Sequence, residues 1–484
     1  MAASGSARLE KLGIPVVIHV GGGFVHDVTN GAEDVGVPTM RYLEVKEYYW
    51  YIPPAQSAPI APKYLDQYVE RMTTPATTAE LNPPQAQMRI EPDLTITGKS
   101  YSDAVEQMME NLVKLQMGDG LALIPPTREA VDNMLTGTSL DPKTVIGTPV
   151  NNKNGVATVE KIAINAVMAG ASPKYLPVII AAMEAFTDPN RDQNHSQASL
   201  GGFEITIWVS GPIVKELGFN VKDRIWTYGC RPQAALGRAV MLCRINLGIM
   251  WPALNDMARQ RTVWHTNWTF AENSDAPNPW KPYGTKFGFA ATDSTVSVST
   301  VSGGSTSTYS GTAVMDKVKS LIAYINSARA QVFGAFTPAT ANPSAHPKKM
   351  ITVIGPAAAK ALNDLGYDQE KLAQYIYDQT CVPYEELSDN ERTRIAQRIQ
   401  ASKDRTVIFS DTLPAAVIPV WEAGLKPGGK VPQIVEPKQD LHYIVMGLET
   451  DTSIWGWTYM RAPYNWTSHG TAKIRGAKLT NAGK

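Results

Sequence analysis

The chain has 484 residues, 43% of them hydrophobic and 19% charged, with 45 Lys and Arg set against 45 Asp and Glu. That length suggests two to four domains, and the composition is that of a soluble globular protein with a large core. Balanced charge with no long run of one sign argues against sequence-independent nucleic-acid binding and against an anionic membrane surface as partner, because both need a basic face.

No segment approaches the roughly 20 apolar residues of a membrane helix; the longest candidate, "YLPVIIAAMEAF" at 175–186, reads as a buried helix. The amino terminus lacks the apolar core of a secretory signal. Three widely spaced cysteines, Cys230, Cys243 and Cys381, suit a reducing compartment without a disulfide framework. These readings together predict a cytoplasmic protein.

In chain order, residues 1–52 read as helix, strand, helix, strand. A short helix closes at Gly13, "IPVVIHV" (14–20) is a strand buried on both faces, and "PTMRYLEV" (38–45) is a second strand. Two parallel strands are too few to stand alone, so the rest of that sheet is expected from elsewhere. Residues 53–99 form a Pro/Ala/Thr-rich arm with one helical stretch, "YLDQYVERM".

A central α/β core is expected over 100–312. It opens with helix "SYSDAVEQMMENLVKLQMGDG", a short strand "LALIPP", and helix "TREAVDNML" capped by Thr127. A helical hairpin follows, capped by Thr158, whose second helix is almost wholly apolar. Strand "ITIWVS", helix "GPIVKELGFN", long helix "QAALGRAVMLCRINLGIMW" and alternating strand "STVSVSTV" come next. The Ser/Gly/Thr-rich stretch at 302–311 reads as a mobile loop or hairpin. A second α/β domain is expected over 313–484, with strands "KMITVIG" and "LHYIVMG" among several helices.

Candidate chemistry is scattered. Gly21, Gly22 and Gly23 follow a strand and precede a helix, where backbone N–H groups cradle an anion, although a plain tight turn produces the same pattern. His19 and His26 frame that turn as candidate metal ligands but match no zinc spacing. Cys230 stands in a Gly/Pro loop before a helix, beside Arg231, a setting that favours a nucleophilic thiolate. Glu272 and Asn273 leave the end of a strand, well placed for acid–base work or merely solvated. Asn165, inside an apolar helix, needs a partner. Thr127 and Arg128, at a helix start, are candidate substrate or anion ligands.

At "DGLALIPPTREAVDNML", "TVEKIAINAVMAGASPKYLPVIIAAMEA", "SGPIVKELGFN", "FAEN" and "DSTVSV" the sequence resembles the UGSC family of uncharacterised (seleno)proteins. In fused members a Rossmann-like domain with a Sec/Cys-Gly-Ser-Cys motif precedes a domain carrying these later motifs, and "LEKLGIPVVIHV" resembles the segment directly after the motif. No cysteine precedes Cys230 here. The resemblance therefore implies that the dithiol resides on a separate small α/β subunit.

The resulting expectation is an α/β protein with an incomplete Rossmann-like parallel unit followed by mixed α/β domains. It is expected to be the large subunit of a cytoplasmic hetero-oligomeric enzyme acting on a small organic substrate. The chemistry implied is thiol-assisted lyase or redox, with catalytic candidates Glu272, Asn273, Cys230 and Asn165, of which Glu272 and Asn273 are expected to line the main pocket and Asn165 to face the same space. Two alternatives stand beside it: a metal-assisted hydratase or hydrolase using His19, His26 and Glu272, and a structural subunit without chemistry of its own. The cofactor is left open, that metal ion being the one candidate.

Overall fold

The computed structural model describes residues 6, 9–10, 12–21, 25, 28–29, 32, 37, 39–47, 56, 58–75, 77–78, 93–150, 155–189, 191, 203–222, 229–248, 250–252, 256, 268–276, 278–302, 307–308, 313–327, 329–333, 350–404, 413, 415–458 and 469–477. Near the amino terminus β1 (Ile18–Gly21) pairs in parallel with β2 (Tyr42–Val45), burying Ile18, Val20, Leu43 and Val45. The strand is shorter than the apolar run 14–20, whose first residues remain exposed. Helix α1 (Ala61–Thr73) packs on β2, with Tyr64 and Lys63 both bonded to Glu47.

Hydroxyl caps set the helix starts in the next stretch, at Thr127 as expected and also at Ser100. Helices α2 (Tyr101–Lys114) and α3 (Arg128–Leu135) start on Ser100 and Thr127, whose hydroxyls accept N–H bonds from Asp103 and Ala130. The run 121–126 is not a strand; Ile124 makes a lone backbone bond to Met168. An irregular hairpin of β3 (Val145–Val150) and β4 (Gly155–Thr158) leads into α4 (Val159–Met168), capped by Thr158. In α5 (Leu176–Phe186) every residue but Glu184 is buried, which explains its lack of a polar face.

The body of the molecule has four layers. The first sheet has the order β14-β7-β5-β6, where β5 is Phe203–Ser210, β6 Trp268–Ala271, β7 Thr295–Ser302 and β14 His469–Lys473. Strand β6 is parallel to β5 and the other pairs are antiparallel. Short helix α6 (Ile213–Leu217) follows β5 and ends on Gly218 at φ +72°. Ile205, Ile207, Val209, Val296 and Val298 face one way and form a core with α4, α5 and α7 (Arg231–Asn246).

The second sheet has the order β12-β9-β13-β8, with β8 Ser307–Thr308, β9 Met350–Ile354, β12 Leu441–Val445 and β13 Ile454–Thr458. Met350, Ile354, Leu441, Tyr443 and Val445 pack on α8 (Val314–Ser327), α9 (Pro356–Asp364) and α10 (Gln369–Thr380). A satellite core gathers β10 (Cys381–Pro383), α11 (Asp389–Lys403), α12 (Val417–Gly424) and β11 (Lys430–Pro432) around Trp421. The remaining faces of the two sheets meet: Trp208, Phe270 and Val301 of the first contact Ile351, Val353, Ile444 and Met446 of the second. The order is helices, sheet, sheet, helices.

The α/β class is therefore present, but a division of the chain at 312/313 is not a boundary in space. Strand β14 returns from the carboxy-terminal end to pair with β7, and β8 lies in the second sheet. Nor does 441–447 complete the amino-terminal pair, because β12 is bonded in parallel to β9. Of the expected loop 302–311, residues 307–308 form the edge strand on β13, and most of the remainder lies outside the described residues.

Candidate functional site

The layer between the sheets is polar. Side chains alternate along a strand, so on β7 the valines at 296 and 298 enter the helical core while Thr295, Ser297 and Ser299 point toward the second sheet. All three are buried. Thr206, Trp208 and Ser210 of β5, His442 of β12, and His469 and Thr471 of β14 share that layer by the same parity.

Into this layer the 3-10 turn Tyr283–Phe287 inserts Tyr283. Gly284 lets the turn lie against β7, since a Cβ there would stand 2.8 Å from Thr295 Oγ1. The Tyr283 phenol is 2.5 Å from His442 Nδ1 and 3.4 Å from His469 Nε2. Lys286 Nζ is 3.3 Å from the same His442 nitrogen and donates to the Leu441 carbonyl at 2.9 Å. His469 Nε2 lies 2.8 Å from Thr471 Oγ1, which lies 2.9 Å from Ser297 Oγ. The partly exposed Phe287 ring stacks on His469 at 4.7 Å, and Trp208 packs edge-on against Tyr283. A polar chain thus runs from Lys286 to Ser297 through residues of both sheets.

Glu272 follows β6 and is 3% exposed. Its Oε2 accepts the Tyr283 backbone N–H at 3.0 Å, while Oε1 is buried without a partner. Burial raises its pKa to about 7, against the lowering pull of the Tyr283 amide and of the nearby Ser210 hydroxyl, which stands outside hydrogen-bonding geometry.

The other expected site residues are not gathered here. Asn273 is spent on backbone: its N–H bonds Val445, its Nδ2 bonds Gly447, and its Oδ1 accepts from Asp275 and Ala276. It ties the two sheets together. Asn165 has the partner it needed, accepting from Asn246 Nδ2 at 2.7 Å and donating to the Lys161 carbonyl; Asn246 in turn holds the Gly118 N–H. Asn165 therefore lies among the helices, apart from Glu272 and Asn273, which stay together at the end of β6. Cys230 is buried at the start of α7, where its thiol accepts from Asn220 N–H and donates to the Gly218 carbonyl. Arg231 turns away from it to the Gly170 carbonyl.

Gly21 ends β1, buried; Gly22, Gly23 and His26 lie outside the described residues. His19 points outward against the Tyr68 ring, whose cover lowers its pKa. Among the described residues no group of three or more His, Cys, Asp or Glu side chains could hold a metal ion. Thr127 caps α3 and Arg128 pairs with Glu160 at 2.6 Å; both line an apolar groove of about 660 Å³ on the helical side, away from Glu272. No helix among the described residues is long and apolar enough to cross a membrane.

Tyr283, His442, His469 and Lys286 were not legible as a site, because 159 residues separate Tyr283 from His442 and 186 separate it from His469. The usable signal was faint: single histidines on short strands, one of them in the otherwise apolar Leu441–Val445. Compared with known proteins, the chain matches no family model, no curated protein and no solved structure.

Proposed function

We propose that this chain is the large subunit of a cytoplasmic enzyme that acts on a small organic molecule by proton transfer at the layer between its sheets. The observation that carries this reading is the convergence of Tyr283 and Lys286 on one nitrogen of His442. Both are donors, so Nδ1 accepts and the ring proton belongs on Nε2. The Tyr283 phenol donates to His442 Nδ1, so its oxygen is placed to take a proton from a substrate carbon while the phenolic proton moves to the imidazole, leaving a neutral tyrosine and a protonated His442. His469 backs the same oxygen from the opposite sheet. Lyase chemistry, in which a base removes a proton beside a leaving group, suits this set.

The thiol half of the reaction in this reading comes from a small α/β subunit with a Cys-Gly-Ser-Cys-type motif. Support comes from β1, which pairs with β2 on one edge and has no strand on the other among the described residues. Leu12 and Ile14, just before it, are 75% and 48% exposed. Such an edge invites another strand. The kinship with UGSC proteins and a Rossmann-like completion of β1–β2 belong to the same proposal.

The test uses the chain co-expressed with the product of the gene directly upstream. Solvent deuterium exchange into a panel of small hydroxy, keto and amino acids is followed by NMR. Tyr283→Phe and His442→Gln should each lower the exchange rate by about 10²–10⁴-fold with the fold intact. Exchange that survives both substitutions removes the assignment.

A further inference from the structure

The groove on the helical side is a second, separate site. Its floor is apolar and continuous with the core: Leu112, Val131 and Met168 are buried there, and Met108, Met117 and Ile164 line the walls. Methionine supplies adaptable, polarizable walls that accept varied apolar shapes. The volume, about 660 Å³, lies in the range of small-molecule sites, roughly 300–1,000 Å³. At the mouth stands Tyr101, 75% exposed, a large aromatic side chain open to a ligand.

Charge at the mouth chooses the ligand. Among the described residues Arg128 is the cation on the lining, and it is already paired with Glu160. Asp93, also on the lining, and Asp132 act on that same arginine. With Arg128 held by Glu160, Asp93 is the lining carboxylate that makes no ion pair among the described residues, so the rim favours a cation there. An acyl carboxylate would meet repulsion there. An ammonium would meet attraction, and the Tyr101 face adds a further contact for a cation.

We propose that this groove binds a hydrophobic organic amine, with its apolar body on the methionine-lined floor and its ammonium at Asp93. The site is independent of the proton-transfer centre, so either can fail without the other. The probe is n-decylamine, below its aggregation concentration, competing with N-phenyl-1-naphthylamine fluorescence on the full chain; decanol and decanoate are the comparisons. Decylamine should compete at least fivefold better than decanol, and decanoate worst. Asp93→Asn, a change at an exposed position, should bring decylamine to the level of decanol. Methyl resonances of Met108, Met117 and Met168 should shift on titration, and Ile164→Trp should abolish the shifts. Decanoate competing as well as decylamine, a preference unchanged in Asp93→Asn, or unmoved methionine methyls would overturn the proposal. Displacement of the probe by a basic apolar peptide but not by decylamine would also overturn it, in favour of a peptide groove.

Discussion

The buried carboxyl of Glu272 holds the backbone N–H of Tyr283, and the phenol of the same Tyr283 lies against His442. One residue at a strand end thus positions the turn that delivers the central group of the site. Glu272 acts here as a positioning residue, since its contact is to the backbone of the turn and not to the phenol.

This placement has a pH signature. The folded pKa of Glu272 is raised to about 7 from 4.5. Below the lower value both folded and unfolded chains are protonated and nothing is lost. Between the two the unfolded chain ionises while folded Glu272 keeps its proton, so stability falls as pH rises, and the loss is complete above the upper value. The full loss is on the order of 3 kcal/mol. Glu272→Gln keeps an acceptor for the Tyr283 N–H and does not titrate. Melting temperatures of the two proteins, measured from pH 4 to 9 (roughly), should diverge in favour of the variant as pH rises. Parallel curves would show that the carboxyl is not buried as described.

Gly470 sits where β14 crosses α5, and a Cβ there would stand 2.1 Å from the Ala185 carbonyl oxygen. Gly470→Ala must push β14 outward, and His469 moves with it. Urea denaturation should show a loss of about 1–3 kcal/mol, with turnover falling further than stability alone explains. An unchanged midpoint would mean that the strand is free to shift.

Asn165 is expected to act structurally, through its bond with Asn246. Asn165→Ala strands the Asn246 amide between α4 and α7 and should cost about 1–3 kcal/mol in urea unfolding. Turnover per folded molecule should stay within about twofold of the parent, because the pair faces the helical core and not the intersheet layer. Lost turnover at unchanged stability would reverse the assignment.

Association through β1 predicts a heteromer. Co-expression with the upstream gene product should give one species on size exclusion, larger than the lone chain. Val17→Pro, in the segment leading into β1, should dissociate it while the large chain stays folded by circular dichroism. A lone chain that is monodisperse and fully active would contradict the two-subunit reading.

Local structure was written in the sequence because its causes are local. Ser and Thr caps at 100, 127 and 158, glycine at 218, and alternation over 295–302 act within a few residues of themselves. The polar face of β7 shows the limit of that logic. "TVSVSTVS" announces a strand with one apolar face, and alternation alone leaves open what covers the other. Tertiary structure decided that a second sheet covers it, burying Ser297 and Ser299 beside two histidines. The same holds for the site. Glu272 stood out as a carboxylate at a strand end, but its raised pKa comes from burial, and burial is a property of the packed sheets. Tyr283, His442 and His469 meet because β12 and β14 return from the far end of the chain to opposite sheets, and no short-range pattern encodes that return.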